Sequence, residues 1–127
     1  MPERHKILLV DDSEISLHFV AGVLEKAGFD VRGTDDVHNL SAVLGDWRPD
    51  VILTDVNMPN LSGVELCRLL KSSYETAHVP VVLFSSTEPE QLEQLARDCE
   101  ADGFLSKNGG LDRLPDELRL LIDSTLF

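Results

Sequence analysis

Basic residues are scarce in this chain. Eleven lysines and arginines stand against 23 aspartates and glutamates, a net charge of −12 over 127 residues. Such a field opposes attraction to nucleic acid or to an anionic membrane surface, so direct binding to either is not expected. No apolar run approaches the roughly twenty residues that cross a bilayer. The opening Met-Pro-Glu-Arg-His-Lys runs straight into a four-residue apolar segment, and a cytoplasmic protein is expected. Cysteine is nearly lacking: Cys67 and Cys99 are isolated, and neither belongs to a C-x-x-C pair of the kind used in metal or redox sites. They read as buried, reduced thiols. The four histidines, His5, His18, His38 and His78, show no metal-ligand spacing. Neither G-x-x-x-x-G-K-[ST] nor G-x-G-x-x-G occurs, which excludes the two common glycine-rich phosphate loops. There is no linker or low-complexity stretch.

What is present is the material of one compact domain spanning 1–127, with 43% apolar and 27% charged residues. Three continuous apolar runs, Ile7–Val10, Val51–Leu53 and Val81–Phe84, are too short for typical helices and predict strands buried on both faces. Two more polar segments, Asp30–Thr34 and Gly103–Ser106, fit edge strands. Between them run helical stripes: Ile15, Phe19, Val23 and Ala27; Leu40, Val43, Leu44 and Trp47; Leu66, Leu69, Leu70 and Tyr74; Leu92, Leu95, Ala96 and Cys99. A fifth, Leu111, Leu114, Leu118, Leu121 and Ile122, closes the chain, with Pro115 near its start. Asp12 or Ser13 can cap the first helix and Gly28 can end it; Pro49, Pro59 and Pro80 interrupt helical continuation. Strict βα alternation predicts an α/β doubly wound fold with a five-stranded parallel sheet and five helices.

In such folds ligands sit beyond the carboxyl ends of the strands. Four polar groups follow directly on strand runs: Asp11-Asp12 after the first, Asp55 after the third, Ser85 after the fourth and Lys107 after the fifth. They should converge on one rim. Gathered carboxylates raise one another's pKa, so the site calls for a cation. Magnesium fits, because it takes oxygen ligands, keeps several waters and binds one or two carboxylates together with phosphate oxygens. Asp12 and Asp55 would coordinate it, with Asp11 assisting through water. Asp55 is then the nucleophile of a phosphoryl transfer that chiefly needs positioning and charge neutralisation, to which Lys107 and Ser85 contribute.

At these residues the sequence resembles the receiver domain of two-component response regulators. The resemblance lies in Ile-Leu-Leu-Val-Asp-Asp, Leu-Thr-Asp-Val-Asn-Met-Pro and Phe-Leu-Ser-Lys, and covers roughly residues 5 to 125. It implies a flavodoxin-like sheet of order 2-1-3-4-5. Carried over by position, it implies Asp55 as phosphoacceptor, Asp11 and Asp12 as the acidic pair, and Asn57 supplying a backbone carbonyl to Mg2+. Ser85 matches the switch hydroxyl, Lys107 the phosphate-binding lysine, Phe104 the switch aromatic, and Met58-Pro59 with Gly63 the following loop. The implied role is phosphorelay signalling. A histidine kinase or phosphotransfer protein donates the phosphoryl group, and the helix 4–strand 5–helix 5 face changes shape for a downstream protein target or a fused output domain. Such a receiver is not an enzyme on external substrates, acting only in its own phosphorylation and dephosphorylation. Whether the phosphorylated form dimerises is left open.

Two departures stand out. Receivers usually place a proline after the lysine, in a cis peptide, whereas Asn108 follows Lys107 and leads into Gly109-Gly110. A cis Lys-Asn bond would cost about 3 kcal/mol, so a trans bond is expected. Phe104 lacks the hydroxyl of the tyrosine often found there. Asn57 and Thr87, two residues after Asp55 and Ser85, would flank the path of a hydrolytic water. The alternative reading is a phosphorylation-independent interaction module with a receiver fold. A haloacid-dehalogenase-like phosphatase is disfavoured, because its second aspartate is replaced by Asn57 and no general acid remains.

Overall fold

The structure, a computed structural model, describes residues 5–35, 40, 44, 47–58, 62–73 and 76–126. The five apolar or edge-type runs form five strands: β1 Lys6–Val10, β2 Asp30–Thr34, β3 Val51–Asp55, β4 Val81–Ser85 and β5 Gly103–Ser106. They make one parallel sheet in the order β2-β1-β3-β4-β5, with Ile7 opposite Val31 and Val51, and Phe84 opposite Asp55 and Leu105. The two polar strands are the edges, where one flank needs no partner.

Four α-helices are seen among the described residues: α1 Glu14–Lys26, α2 Gly63–Ser72, α3 Pro89–Asp98 and α4 Leu114–Leu121. Two 3-10 turns, Lys107–Gly109 and Leu111–Arg113, join β5 to α4, and a π turn, Ile122–Leu126, follows it. The predicted second helix falls largely outside the described residues. Leu40 and Leu44 are helical there, and Leu40 and Trp47 are buried. The predicted helices four and five are therefore α3 and α4.

Because side chains alternate along a strand, the sheet has two cores. Leu8, Val10, Ile52, Val81 and Leu83 face α2 and α3, where Leu66, Leu70, Leu92 and Ala96 meet them. Ile7, Leu9, Val51, Leu53, Val82 and Phe84 face α1 and α4, against Val20, Leu24, Leu114 and Leu118. Each fully buried aliphatic side chain contributes roughly 1.5–3 kcal/mol, so the central strands carry much of the stability. Cys67 and Cys99 are buried and free, the Cys67 thiol donating to the Cys99 carbonyl at 3.3 Å. Burial and the neighbouring thiol push the Cys67 pKa well up, which suppresses its thiolate.

Two stripes need correction. On α1 the buried positions are Val20 and Leu24, with Leu17, Ala21 and Ala27 partly buried, whereas Ile15 and Phe19 are 72% and 59% exposed. Both sets obey helical spacing. The sheet selects the set that meets Leu9, Leu53 and Phe84 and leaves Ile15 and Phe19 facing outward, while Val23 and Ala27 of the predicted stripe are half-buried. On α2, Cys67 takes the core position and Leu69 is exposed; Tyr74 lies outside the described residues.

Ser13 caps α1, its hydroxyl accepting from the Ser16 N–H at 3.2 Å, and Gly28 ends the helix at φ +99°. Gly63 allows a closer approach than any other residue. A Cβ there would lie 2.1 Å from the Asp55 carbonyl oxygen, so the start of α2 can rest against the end of β3 only as glycine.

Candidate functional site

The carboxyl ends of β1, β3, β4 and β5 bring together the residues that the sequence singled out. Asp11, Asp12 and Asp55 each offer a carboxylate oxygen within 4.8 Å of the others. Carboxylate oxygens sharing one octahedral magnesium ion lie about 3–4 Å apart, given bonds near 2.1 Å. The triad therefore fits that ion with a small contraction, and its all-oxygen chemistry suits a hard cation.

Asp11 is buried and held in place. One oxygen accepts the Ser13 N–H at 3.0 Å and the other the Ser16 hydroxyl at 2.8 Å. Asp12 is exposed and points its chemistry to the rim. Asp55 lies at the last position of β3, where its carboxylate accepts the Val56 N–H at 2.9 Å. The Lys107 ammonium reaches across from the end of β5, 3.4 Å from Asp55 Oδ1 and 3.5 Å from Asp11 Oδ2, lying over the Phe84 ring.

Burial raises the Asp55 pKa above the usual aspartate value, and it outweighs the lowering by Lys107; Asp11 raises it further, while a backbone N–H of Asn57 lowers it. One ammonium is too little positive charge for three carboxylates, two of them poorly hydrated. A divalent cation would complete the balance.

Ser85 is fully buried at the end of β4, and its hydroxyl is engaged with Thr87: the two oxygens are 2.8 Å apart, and the Thr87 N–H donates to it at 3.1 Å. Phe104 is partly buried on β5, packed against the α2–α3 core. Asn57 is exposed in the turn after β3, and Met58 packs partly on the same core; Pro59 lies outside the described residues. The Lys107–Asn108 peptide is trans, as expected.

Sequence reasoning missed Ser16 as a partner of Asp11 and Thr87 as the partner of the Ser85 hydroxyl. A serine in the first turn of a helix that follows an acidic pair was the available signal, since short hydroxyl side chains bond to groups one turn away. Serine is common at helix starts for capping alone, so the signal does not stand out.

The response regulator receiver domain family matches residues 7–119 of the chain. Among curated relatives, the phosphate regulon transcriptional regulatory protein PhoB of Pseudomonas aeruginosa is 32% identical over 101 residues, which are 80% of this chain and 44% of that protein. Protein PilH of the same organism is 30% identical over 102 residues, 80% of this chain and 84% of that one. Among solved structures, the chemotaxis response regulator CheY4 of Vibrio cholerae superposes with a TM-score of 0.81 at 29% identity, covering 94% of this chain and 99% of that one. The chain spans less than half the length of several curated relatives that it matches.

Proposed function

The chain belongs to the response regulator receiver domain family of two-component systems, and from that premise we propose that it is a phosphorelay switch whose phosphoacceptor is Asp55. The observation that carries the reading is the Lys107 ammonium, lying between Asp55 and Asp11 on the rim where Asp12 also offers an oxygen. Asp11, Asp12 and Asp55, with the Asn57 backbone carbonyl, would hold Mg2+. When bound, that ion supplies the positive charge that offsets the carboxylates and the phosphoryl oxygens.

An Asp55 carboxylate oxygen attacks phosphorus and a P–O bond forms while the P–N bond to the donor's phosphohistidine breaks; that ring, protonated on its other nitrogen, takes back the electron pair and leaves as neutral imidazole. Val56 N–H and Lys107 orient the carboxylate for in-line approach. Lys107 then pairs with a phosphoryl oxygen. The Ser85 hydroxyl leaves Thr87 and donates to another, and Phe104 turns inward behind it. Output is a binding event: the α3–β5–α4 face gains or loses affinity for a protein target or a fused output domain, by a few kcal/mol at most.

A donor such as a histidine kinase or phosphotransfer protein must cover the rim to deliver its phosphoryl group. Phe19, with Ser16, Lys107 and Leu111, borders a surface hollow on the side of the Lys107 ammonium, and Ile15 is exposed on the same helix. That apolar margin suits a protein donor. With Asn57 at the position of a general acid, the chain acts in its own phosphorylation and dephosphorylation and not on external phosphate esters. No helix among the described residues is long and apolar enough to cross a membrane.

The test is intact mass after incubation with acetyl phosphate, with and without magnesium, on wild type and Asp55→Asn. A magnesium-dependent phosphoryl adduct absent from Asp55→Asn is expected. If neither that adduct nor a beryllofluoride complex forms, the phosphoacceptor reading fails and a phosphorylation-independent interaction module replaces it.

A further inference from the structure

Asn108 stands where the family resemblance leads one to expect proline, and it makes two bonds that a proline could not donate. Its backbone N–H donates to the Ser106 hydroxyl oxygen at 3.0 Å, and its side-chain Nδ2 donates to the Ser86 carbonyl at 3.2 Å. A carbonyl only accepts, so the amide nitrogen must be the group that faces it. The first bond caps the 3-10 turn Lys107–Gly109 from the end of β5; the second crosses from that turn to the loop between β4 and α3, next to Ser85. Gly110, at φ +88°, then turns the chain toward α4.

Lysine carries a compact charge on a flexible four-carbon stem, so its position depends on where its backbone is held. The Lys107 ammonium lies 3.4 and 3.5 Å from its two carboxylates, already at the long end of hydrogen-bonding range. A small shift of the turn would take it out of contact.

We infer that Asn108 is a positioning residue for the Lys107 ammonium, tying the lysine's turn to the Ser86 carbonyl through its side-chain amide. The consequence for phosphoryl uptake rests on the reading of Asp55 as phosphoacceptor; the coupling to Lys107 does not. The clamp also joins the lysine's turn to Ser86, the residue that follows Ser85, so the two groups that would contact a phosphoryl group share one mechanical link.

The test uses Asn108→Ala and Asn108→Leu, the second keeping the size of asparagine without its donor. The first readout is the rate at which an amine-reactive ester acetylates Lys107 in magnesium-free protein, followed by peptide mass. One exposed hydrogen bond is worth a factor of roughly two to five here. Both variants should label faster at Lys107 by that factor, with Lys6 and Lys26 unchanged and the urea midpoint lowered by no more than the loss of that one bond accounts for. The second readout is phosphoryl uptake from acetyl phosphate, which should slow by a similar factor. It should show no further loss when Asn108→Ala is added to Lys107→Ala, as expected only if Asn108 acts through the lysine. Unchanged Lys107 labelling in either variant overturns the inference, as does full additivity with Lys107→Ala. If wild type takes up no phosphoryl group while Lys107 labelling still rises, the positioning role stands and the phosphoacceptor reading fails.

Discussion

The Asp55 carboxyl is the residue at which folding and function pull apart. Its pKa is raised in the folded state, chiefly by burial, so between the ordinary and the raised value the native protein binds more protons than the unfolded chain. Stability therefore falls as pH rises through that window. The ionised group is a liability above the raised value, and the liability is absent below the ordinary one. In chelator-treated protein, Asp55→Asn should unfold at a higher temperature than wild type at neutral pH. The advantage should fade as pH falls through the window, and melting curves from pH 7 to pH 3 check it. Magnesium, binding only the folded site, should raise the wild-type midpoint with concentration. Asp12→Ala removes an exposed ligand without a core contact, so it should weaken magnesium affinity about tenfold or more while leaving the metal-free midpoint unchanged; titration calorimetry measures the first. Normal affinity in that variant would sink the assigned metal site.

At the scale of elements, the site depends on how closely helices approach the strand ends. Gly63→Ala puts a Cβ against the Asp55 carbonyl, forcing α2 away from β3. It should cost roughly 1–3 kcal/mol by urea unfolding, like other overpacking changes, and impair phosphoryl uptake because Asp55 moves with its backbone. The outward face of α1 behaves differently. Phe19 is exposed, so Phe19→Ser should alter stability by no more than about 0.5 kcal/mol. It should slow transfer from a protein phosphodonor while leaving acetyl phosphate reactivity intact. Equal slowing with both donors would show that Phe19 acts inside the site rather than at its margin.

Across the whole molecule, two cores on opposite faces of one sheet share the same strands, so a change at the rim can be felt on either side. Ser85 and Thr87 form a hydroxyl pair at the end of β4, and Phe104 sits partly buried on the neighbouring strand. Beryllofluoride with magnesium should therefore shift amide resonances of α3, β5 and α4 more than those of α1 and β2. Shifts spread evenly over the sheet would contradict a switch confined to the α3–β5–α4 face.

The strand runs, the βα alternation and the acidic rim were all legible in the sequence. A strand buried on both faces must be apolar throughout, and a polar group just past its end has only the rim to occupy. Ile7–Val10 before Asp11-Asp12 and Val51–Leu53 before Asp55 show that rule at work. The family resemblance added roles to those positions. Rotation of α1 was not legible, because the predicted Ile15–Phe19–Val23–Ala27 and the observed Leu17–Val20–Leu24 both satisfy helical spacing, and only contact with the sheet breaks the tie. Nor were the contacts between Ser85 and Thr87, Ser16 and Asp11, or Asn108 and Ser86. Periodicity encodes which residues need burial, since that free energy is spread along an element. A single hydrogen bond depends on two loops meeting to within a fraction of an ångström, which only the assembled tertiary structure determines.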